Sequence, residues 1–250
     1  MPAADDGAVS IADSFEAALA AVSGPELAGP ELLPVRLASA CAATLQVDGV
    51  GISLVDGAQQ HIPLGASSQW AADAERLQFT AGEGPCMTAQ NTRHPVLAPE
   101  DDLRRRWPVF TDLLLSRTPY HAVVALPLQP ALAGAAAIDL YFERSAAVPS
   151  LDVFSAVAVG ELVTAALSDA SVWSSWSPAE GPEWLKGPTP QRRAAVWEAM
   201  GKISVDLALD SVAALELLRL EAYRSDRSVD DVAADLLAGR FDPTDLQPVD

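Results

Sequence analysis

The chain is poor in the residues that build covalent frameworks and metal centres. Its 250 residues include two cysteines, Cys41 and Cys86, and three histidines, His61, His94 and His121. Two thiols are too few for a disulfide scaffold, and the scattered histidines show no ligand spacing, so no metal site is expected. No apolar run approaches the ~20 residues of a membrane span. The first twenty residues carry Asp5, Asp6, Asp13 and Glu16 and lack the basic start of a signal peptide. A soluble, cytoplasmic protein with no membrane partner is the expectation. Positive charge is also scarce: 16 Lys and Arg against 34 Asp and Glu give a net charge of −18, which opposes non-specific binding to phosphates. There is no internal repeat and no sustained heptad pattern.

What is present is ample apolar material, 50% of the chain, and a length that accommodates two ordinary domains. The charge is unevenly spread. Residues 1–170 hold 20 acidic and 8 basic side chains, whereas 192–241 hold 9 and 7. Basic groups are therefore concentrated toward the C-terminal end without being in excess there.

In the first region, amphipathic periodicity predicts helices over 12–22 and 32–45, the second directing Leu33, Val35, Leu37, Ala40, Cys41 and Leu45 to a core. Alternation over 49–55 predicts a strand, Asp56-Gly57 a hairpin turn, and 60–65 its returning partner. A helix-prone piece near 69–76 precedes a long irregular segment over 81–112. Two more strands, 122–127 and 135–142, are expected around a turn at Gly134, and a helix over 151–167 closes the unit. This order indicates an α+β domain built on an antiparallel sheet flanked by helices.

Residues 171–190 are rich in Ser, Pro and Trp and read as a linker, with Trp173, Trp176 and Trp184 expected to pack on a domain or on a second chain. Beyond them lies a small all-α module of three short helices. Val196, Ala199, Met200, Ile203 and Leu207 line the first, Ala214, Leu215, Leu218 and Ala222 the second, and Val229, Val232, Ala233, Leu236 and Leu237 the third. Asp210 or Ser211 can cap the second helix, Ser228 with Asp231 the third, and Gly239 can stop it in the left-handed conformation. Helices this short must bury their apolar stripes against one another.

Residues 12–170 resemble a GAF domain of the kind that precedes ANTAR modules in actinobacterial regulators. The resemblance rests on Val47-Asp48-Gly49-Val50-Gly51-Ile52-Ser53-Leu54, Glu75 with Leu77-Gln78, Gly82-Glu83-Gly84-Pro85-Cys86, Arg106-Trp107-Pro108-Val109-Phe110, Leu126-Pro127-Leu128 and Ala137-Ile138-Asp139-Leu140-Tyr141. Residues 191–241 resemble an ANTAR domain through Ala199-Met200-Gly201, Ala214-Leu215, Leu218-Arg219, Ala222-Tyr223, Arg227-Ser228-Val229, Asp231-Val232-Ala233 and Asp235-Leu236-Leu237. These resemblances imply a signal-sensing domain, with a small-molecule ligand whose identity does not carry over, controlling a module that grips structured stem-loops in a nascent transcript. They imply transcription antitermination by a homodimer, with no catalytic residues. Ala208 stands where the ANTAR pattern often has glycine, and Glu221 and Asp226 bring acid to the presumed face.

Candidate residues follow. Lys202, Arg219, Arg227 and Arg240 are the candidates for RNA phosphates or loop bases, each equally an exposed helical charge. Cys86 follows two glycines and Pro85, at a predicted helix start where a thiol can have a depressed pKa and act in redox sensing; the alternative is a small buried hydrophobe. Arg106, with Arg104 and Arg105, can clamp an anion beside Trp107, or form a solvated loop balanced by Glu100, Asp101 and Asp102 while Trp107 and Phe110 anchor the core. Ala199 and Gly201 read as small residues permitting close approach of RNA, of a partner helix or of the next helix in the module. Two further function classes stand beside RNA binding: an interaction regulator whose acidic tail docks or dimerises, and a Cys86-dependent redox sensor. Clustering of the four cations on one face favours RNA; interspersion with Asp206, Glu221 and Asp235 favours docking.

Overall fold

The computed structural model describes residues 10–56, 61–128, 134–173 and 181–246. Five antiparallel strands, β1 (Gly49–Asp56), β2 (His61–Ala66), β3 (Val96–Ala98), β4 (Ala122–Pro127) and β5 (Gly134–Phe142), lie in the order β2-β1-β5-β4-β3. The Gly57 end of the expected hairpin and the segment before Gly134 fall outside the described residues. Gly134 itself is the first residue of β5 and pairs with Asp56.

Strand alternation assigns the two sheet faces. Val50, Ile52, Leu54, Val124, Leu126, Ile138 and Leu140 point to a core covered by helices α1 (Ile11–Ala21), α2 (Leu33–Leu45) and, at the end of the domain, α7 (Val153–Trp173). The opposite face carries Val123, Ala125 and Tyr141 under α3 (Gln69–Ala81), α4 (Pro85–Thr92), α5 (Glu100–Arg106) and α6 (Pro108–Arg117).

The segment expected to be irregular over 81–112 is thus largely ordered. Its elements are too short for hydrophobic periodicity to register, and they are set by punctuation. Gly82 ends α3 at φ +72°, Pro85 opens α4, and Pro108 opens α6. Glu100, Asp101 and Asp102 in the first turn of α5 and Arg104, Arg105 and Arg106 in the last complement the helix dipole. Those arginines are helical, not a loop, and Arg104 and Arg105 pair with Glu100 and Asp102.

Helix α7 runs six residues past the expected end at 167. Among the described residues it is the one helix long and apolar enough to cross a membrane on length and composition, which corrects the expectation that no such run exists. Its Ala156, Val159, Val163 and Leu167 are buried against the sheet. Of the linker tryptophans, Trp184 is buried in that same core and its Nε1 donates to Ser171 Oγ at 3.3 Å; Trp176 and Pro178 fall outside the described residues.

The tail forms α8 (Pro188–Leu207), α9 (Ser211–Arg224) and α10 (Val229–Leu237) around Val196, Ala199, Ile203, Ala214, Leu218, Ala222, Val229, Val232, Ala233 and Leu236. Asp210 caps α9 by accepting from the Ala213 amide. At α10 Ser228 Oγ accepts from the Asp231 amide and donates to the Asp231 carboxylate, so the return bond of the capping box runs to the hydroxyl and not to the Ser228 amide. Gly239 lies at φ +69° just beyond the helix. Ala199 packs inside the module, but a side chain at Gly201 would meet open space. Gly201 therefore plays no part in helix packing.

Candidate functional site

The two glycines of β1 open a space on the α3 and α4 side of the sheet. Gly51 pairs with Asp139, and a Cβ on Gly51 would stand 2.1 Å from Glu75 Oε1. The missing side chain is what admits Glu75 to the interior. Seven other polar side chains converge there: Ser53, His61, Gln78, Cys86, Gln90, Asp139 and Tyr141, all buried. Tyr141 Oη donates to Glu75 Oε1 at 2.7 Å, and Gln78 Nε2 donates to Asp139 Oδ2 at 2.5 Å. Gln78 Oε1 accepts the Cys86 amide at 3.0 Å, tying the start of α4 to α3. Cys86 Sγ lies 3.0 Å from Ser53 Oγ and 3.7 Å from His61 Nε2.

The cluster is incompletely satisfied. His61 Nδ1, Glu75 Oε2, Gln90 Oε1 and Asp139 Oδ1 are buried without a hydrogen-bond partner, at a cost of about 1–3 kcal/mol for each group. Burial and then the charge of Asp139 hold the Glu75 carboxyl well above the usual range, and burial lifts Asp139 to about 6. Burial, reinforced by Arg193 and Arg219, drops His61 to about 3, so its imidazole is neutral. The Cys86 thiol is pushed up by burial, then by Asp139 and Glu75. Of the two readings of Cys86, the structure agrees with the small buried side chain: Cys86 does begin a helix, but the lack of solvent and the carboxylates outweigh the helix terminus. Cys41 is buried among aliphatic side chains and raised to about 12.

The expected ligand-sensing residues fall into two places. Cys86 belongs to this cluster. Trp107 is buried with Leu103 and Phe110 in the second core, and Arg106 lies exposed with its guanidinium 4.1 Å from the Trp107 ring. Trp107 anchors α5 and α6 to the core. The groups that linear reasoning missed are His61, Glu75, Gln78 and Asp139. A signal existed for Asp139, a carboxylate inside the otherwise apolar strand 135–142, and for Glu75 and Gln78, one turn apart on the apolar face of α3. Nothing in the spacing of His61 announced that its ring nitrogen, the Cys86 sulfur and a Glu75 oxygen lie within 4.8 Å of one another.

Above this cluster sits the tail module. Phe79 leaves the sheet domain on α3 and enters the core of the three helices, where it meets the Trp197 ring edge-on at 5.6 Å. Arg193 of α8 is fully buried with its guanidinium 3.5 Å from the Phe79 ring centroid. It pairs with Asp230 of α10 and donates from Nη1 to the His61 carbonyl at 3.1 Å. The Val229 amide donates to Thr80 Oγ1 at 3.2 Å, and Arg219 Nε to the Phe79 carbonyl at 3.2 Å.

The four expected RNA-binding cations are each paired with acid. Lys202 pairs with Asp206, Arg219 with Glu216, and Arg227 and Arg240 both with Asp235. Arg219 is also committed to the Phe79 junction, with its guanidinium 5.3 Å from that ring.

No family model and no curated protein matches the chain. Among solved structures, it is similar to the GAF domain of an Acinetobacter phosphoenolpyruvate-protein phosphotransferase, at 12% identity and TM-score 0.45, over 66% of this chain and 97% of that one. It is also similar to the GAF domain of the Coxiella burnetii phosphoenolpyruvate-protein phosphotransferase, at 12% identity and TM-score 0.43, over 67% of this chain and 100% of that one.

Proposed function

We propose that this chain is a signal-responsive regulator in which the buried polar cluster of a GAF-like domain controls an ANTAR-like helical module docked on it. One observation carries the proposal: His61 belongs to both parts. Its ring faces Cys86 inside the cluster, and its carbonyl accepts the buried Arg193 of the module. A ligand that moves β2 alters the Arg193 anchorage, and it favours release by the ratio of its affinities for the two arrangements. No catalytic step is required.

The output is RNA binding, as the ANTAR resemblance implies, with the docked module as the silent form. Its acidic partners and the junction at Phe79 hold the cations that would otherwise meet phosphates. The test is binding of the full chain to a pool of structured RNAs at two salt concentrations, beside Asp230→Asn and Asp230→Asn with Arg227→Glu. The expected result is weak binding by the parent, salt-sensitive binding by Asp230→Asn and its loss in the double variant. Absence of binding by every form overturns the RNA output.

A second reading is favoured by the same interspersion of charge and by the exposed Val205, Val212, Leu220 and Tyr223 on α8 and α9. These make the module a docking or dimerisation element. Concentration-dependent self-association abolished by Val212→Glu and Leu220→Glu, with no RNA binding, is its signature.

A further inference from the structure

We propose that His61 Nε2, Cys86 Sγ and the Glu75 carboxylate form a site for a transition-metal ion of the zinc class, so that the signal read by the buried cluster is a metal ion. The inference rests on the reading of this cluster as the sensing site and names its ligand.

The donor set is the first support. One imidazole, one thiolate and one carboxylate suit Zn²⁺ and its neighbours, and not Mg²⁺ or Ca²⁺, which take oxygen ligands. Geometry is the second. Bonds of about 2.3 Å to sulfur and about 2.0–2.1 Å to nitrogen place tetrahedral S and N ligands about 3.6 Å apart. The observed separation of Cys86 Sγ and His61 Nε2 is 3.7 Å, and the Glu75 oxygen completes a triangle with no side over 4.8 Å. Tetrahedral sides are about 3.4–3.6 Å, so closing that triangle takes a shift of up to about 1.4 Å.

Third, the cluster contains what an ion would repair. Glu75 Oε2 is buried and without a hydrogen-bond partner. Two neutral-favouring acids, the Cys86 thiol and the Glu75 carboxyl, would become thiolate and carboxylate on coordination, releasing their protons, and together they balance a divalent charge. A net-neutral centre is tolerated in an interior where an unpaired charge is not. The positive charge of Arg193 that reaches His61 is offset in part by its pairing with Asp230. Ser53 Oγ against the sulfur and Tyr141 Oη on Glu75 Oε1 supply the outer hydrogen bonds that orient metal ligands. Three protein ligands leave a fourth position for water or a further ligand, unlike a closed four-ligand structural site.

The test uses the full chain, stripped with a chelator and then refolded with Zn²⁺ or Co²⁺ because the cluster is buried. The expected result is one tightly held ion per chain, a thiolate-to-cobalt charge-transfer absorption, and a rise in Tm on the order of 5 °C. Cys86→Ser should abolish the charge-transfer absorption and weaken Zn²⁺ binding about 100-fold or more, whereas Cys41→Ala keeps both. His61→Ala provides a second ligand deletion whose cobalt spectrum changes even if Cys86→Ser folds poorly. Absence of binding, or an absorption that survives in Cys86→Ser, overturns the assignment. If the ion fails to bind while Asp230→Asn still releases the module, the metal assignment falls and the sensing proposal stands. If the ion binds and leaves the Arg193 anchorage unchanged by hydrogen exchange in α8, the metal site stands and the coupling falls.

Discussion

Arg193 and Asp230 meet fork to fork, Nε to Oδ1 at 3.0 Å and Nη2 to Oδ2 at 3.1 Å, with both side chains removed from water. Removing one partner from such a pair strands a charge, at about 3–5 kcal/mol, whereas replacing both by apolar groups is often neutral. Asp230→Asn should therefore lower stability in denaturant titrations by about that amount. Hydrogen exchange should quicken first in α8 to α10, and Arg193→Met with Asp230→Leu should recover most of the loss. An equal loss in the double variant contradicts this account.

Gly51→Ala tests the opening that admits Glu75. The added methyl would collide with a carboxylate held by Tyr141 inside a packed interior, and overpacking of this kind costs about 1–3 kcal/mol. Glu75→Ala in the same chain should relieve the collision, so the double variant is more stable than the two single losses predict. Additive losses in a double-mutant cycle would remove Glu75 as the cause.

Ala208 ends α8 in the left-handed region at φ +55°, where L residues pay about 1–2 kcal/mol. Ala208→Gly removes that strain against a smaller entropic loss and should raise Tm by a few degrees. A lower Tm is the contrary result.

Cys41 gives a pH dependence of known sign. Its folded value of about 12 lies above the ordinary 9.0, so the folded chain holds this proton more tightly than the unfolded chain. The stabilisation is complete below pH 9 and declines between 9 and 12 by about 1.4 kcal/mol per pH unit. Cys41→Ala should make that part of the stability profile less steep, with the raised Cys86 thiol still contributing. Identical slopes in the two proteins would show that the alkaline loss belongs to other groups.

Much of the sheet domain was legible in the sequence because β1, β5 and the long helices have lengths that match their hydrophobic periods. The stretch from Gly82 to Asp112 was not, since elements of three to ten residues leave periodicity little to act on. The candidate site was half legible. Cys86 was marked by the glycines and proline before it, but its partners come from β1, β2, α3 and β5 and share no local spacing. Arg193 is, in the sequence, one more charged residue ahead of the tail helices. Its burial follows from Asp230 and Phe79, which arrive from other parts of the chain, and charge patterning along one helix does not contain that information.

The strand order has a consequence for synthesis. Gly51 finds its β5 partner only when Asp139 has been made, so a nascent chain holds the β1 and β2 hairpin with its inner flank unpaired through all of α3 to α6. Val50, Ile52 and Leu54 on that strand are then open to whatever else offers an edge. Helices α8 to α10 emerge after the sheet is closed, so Phe79 stays uncovered until then, a sticky patch on a sheet domain whose strands are already paired.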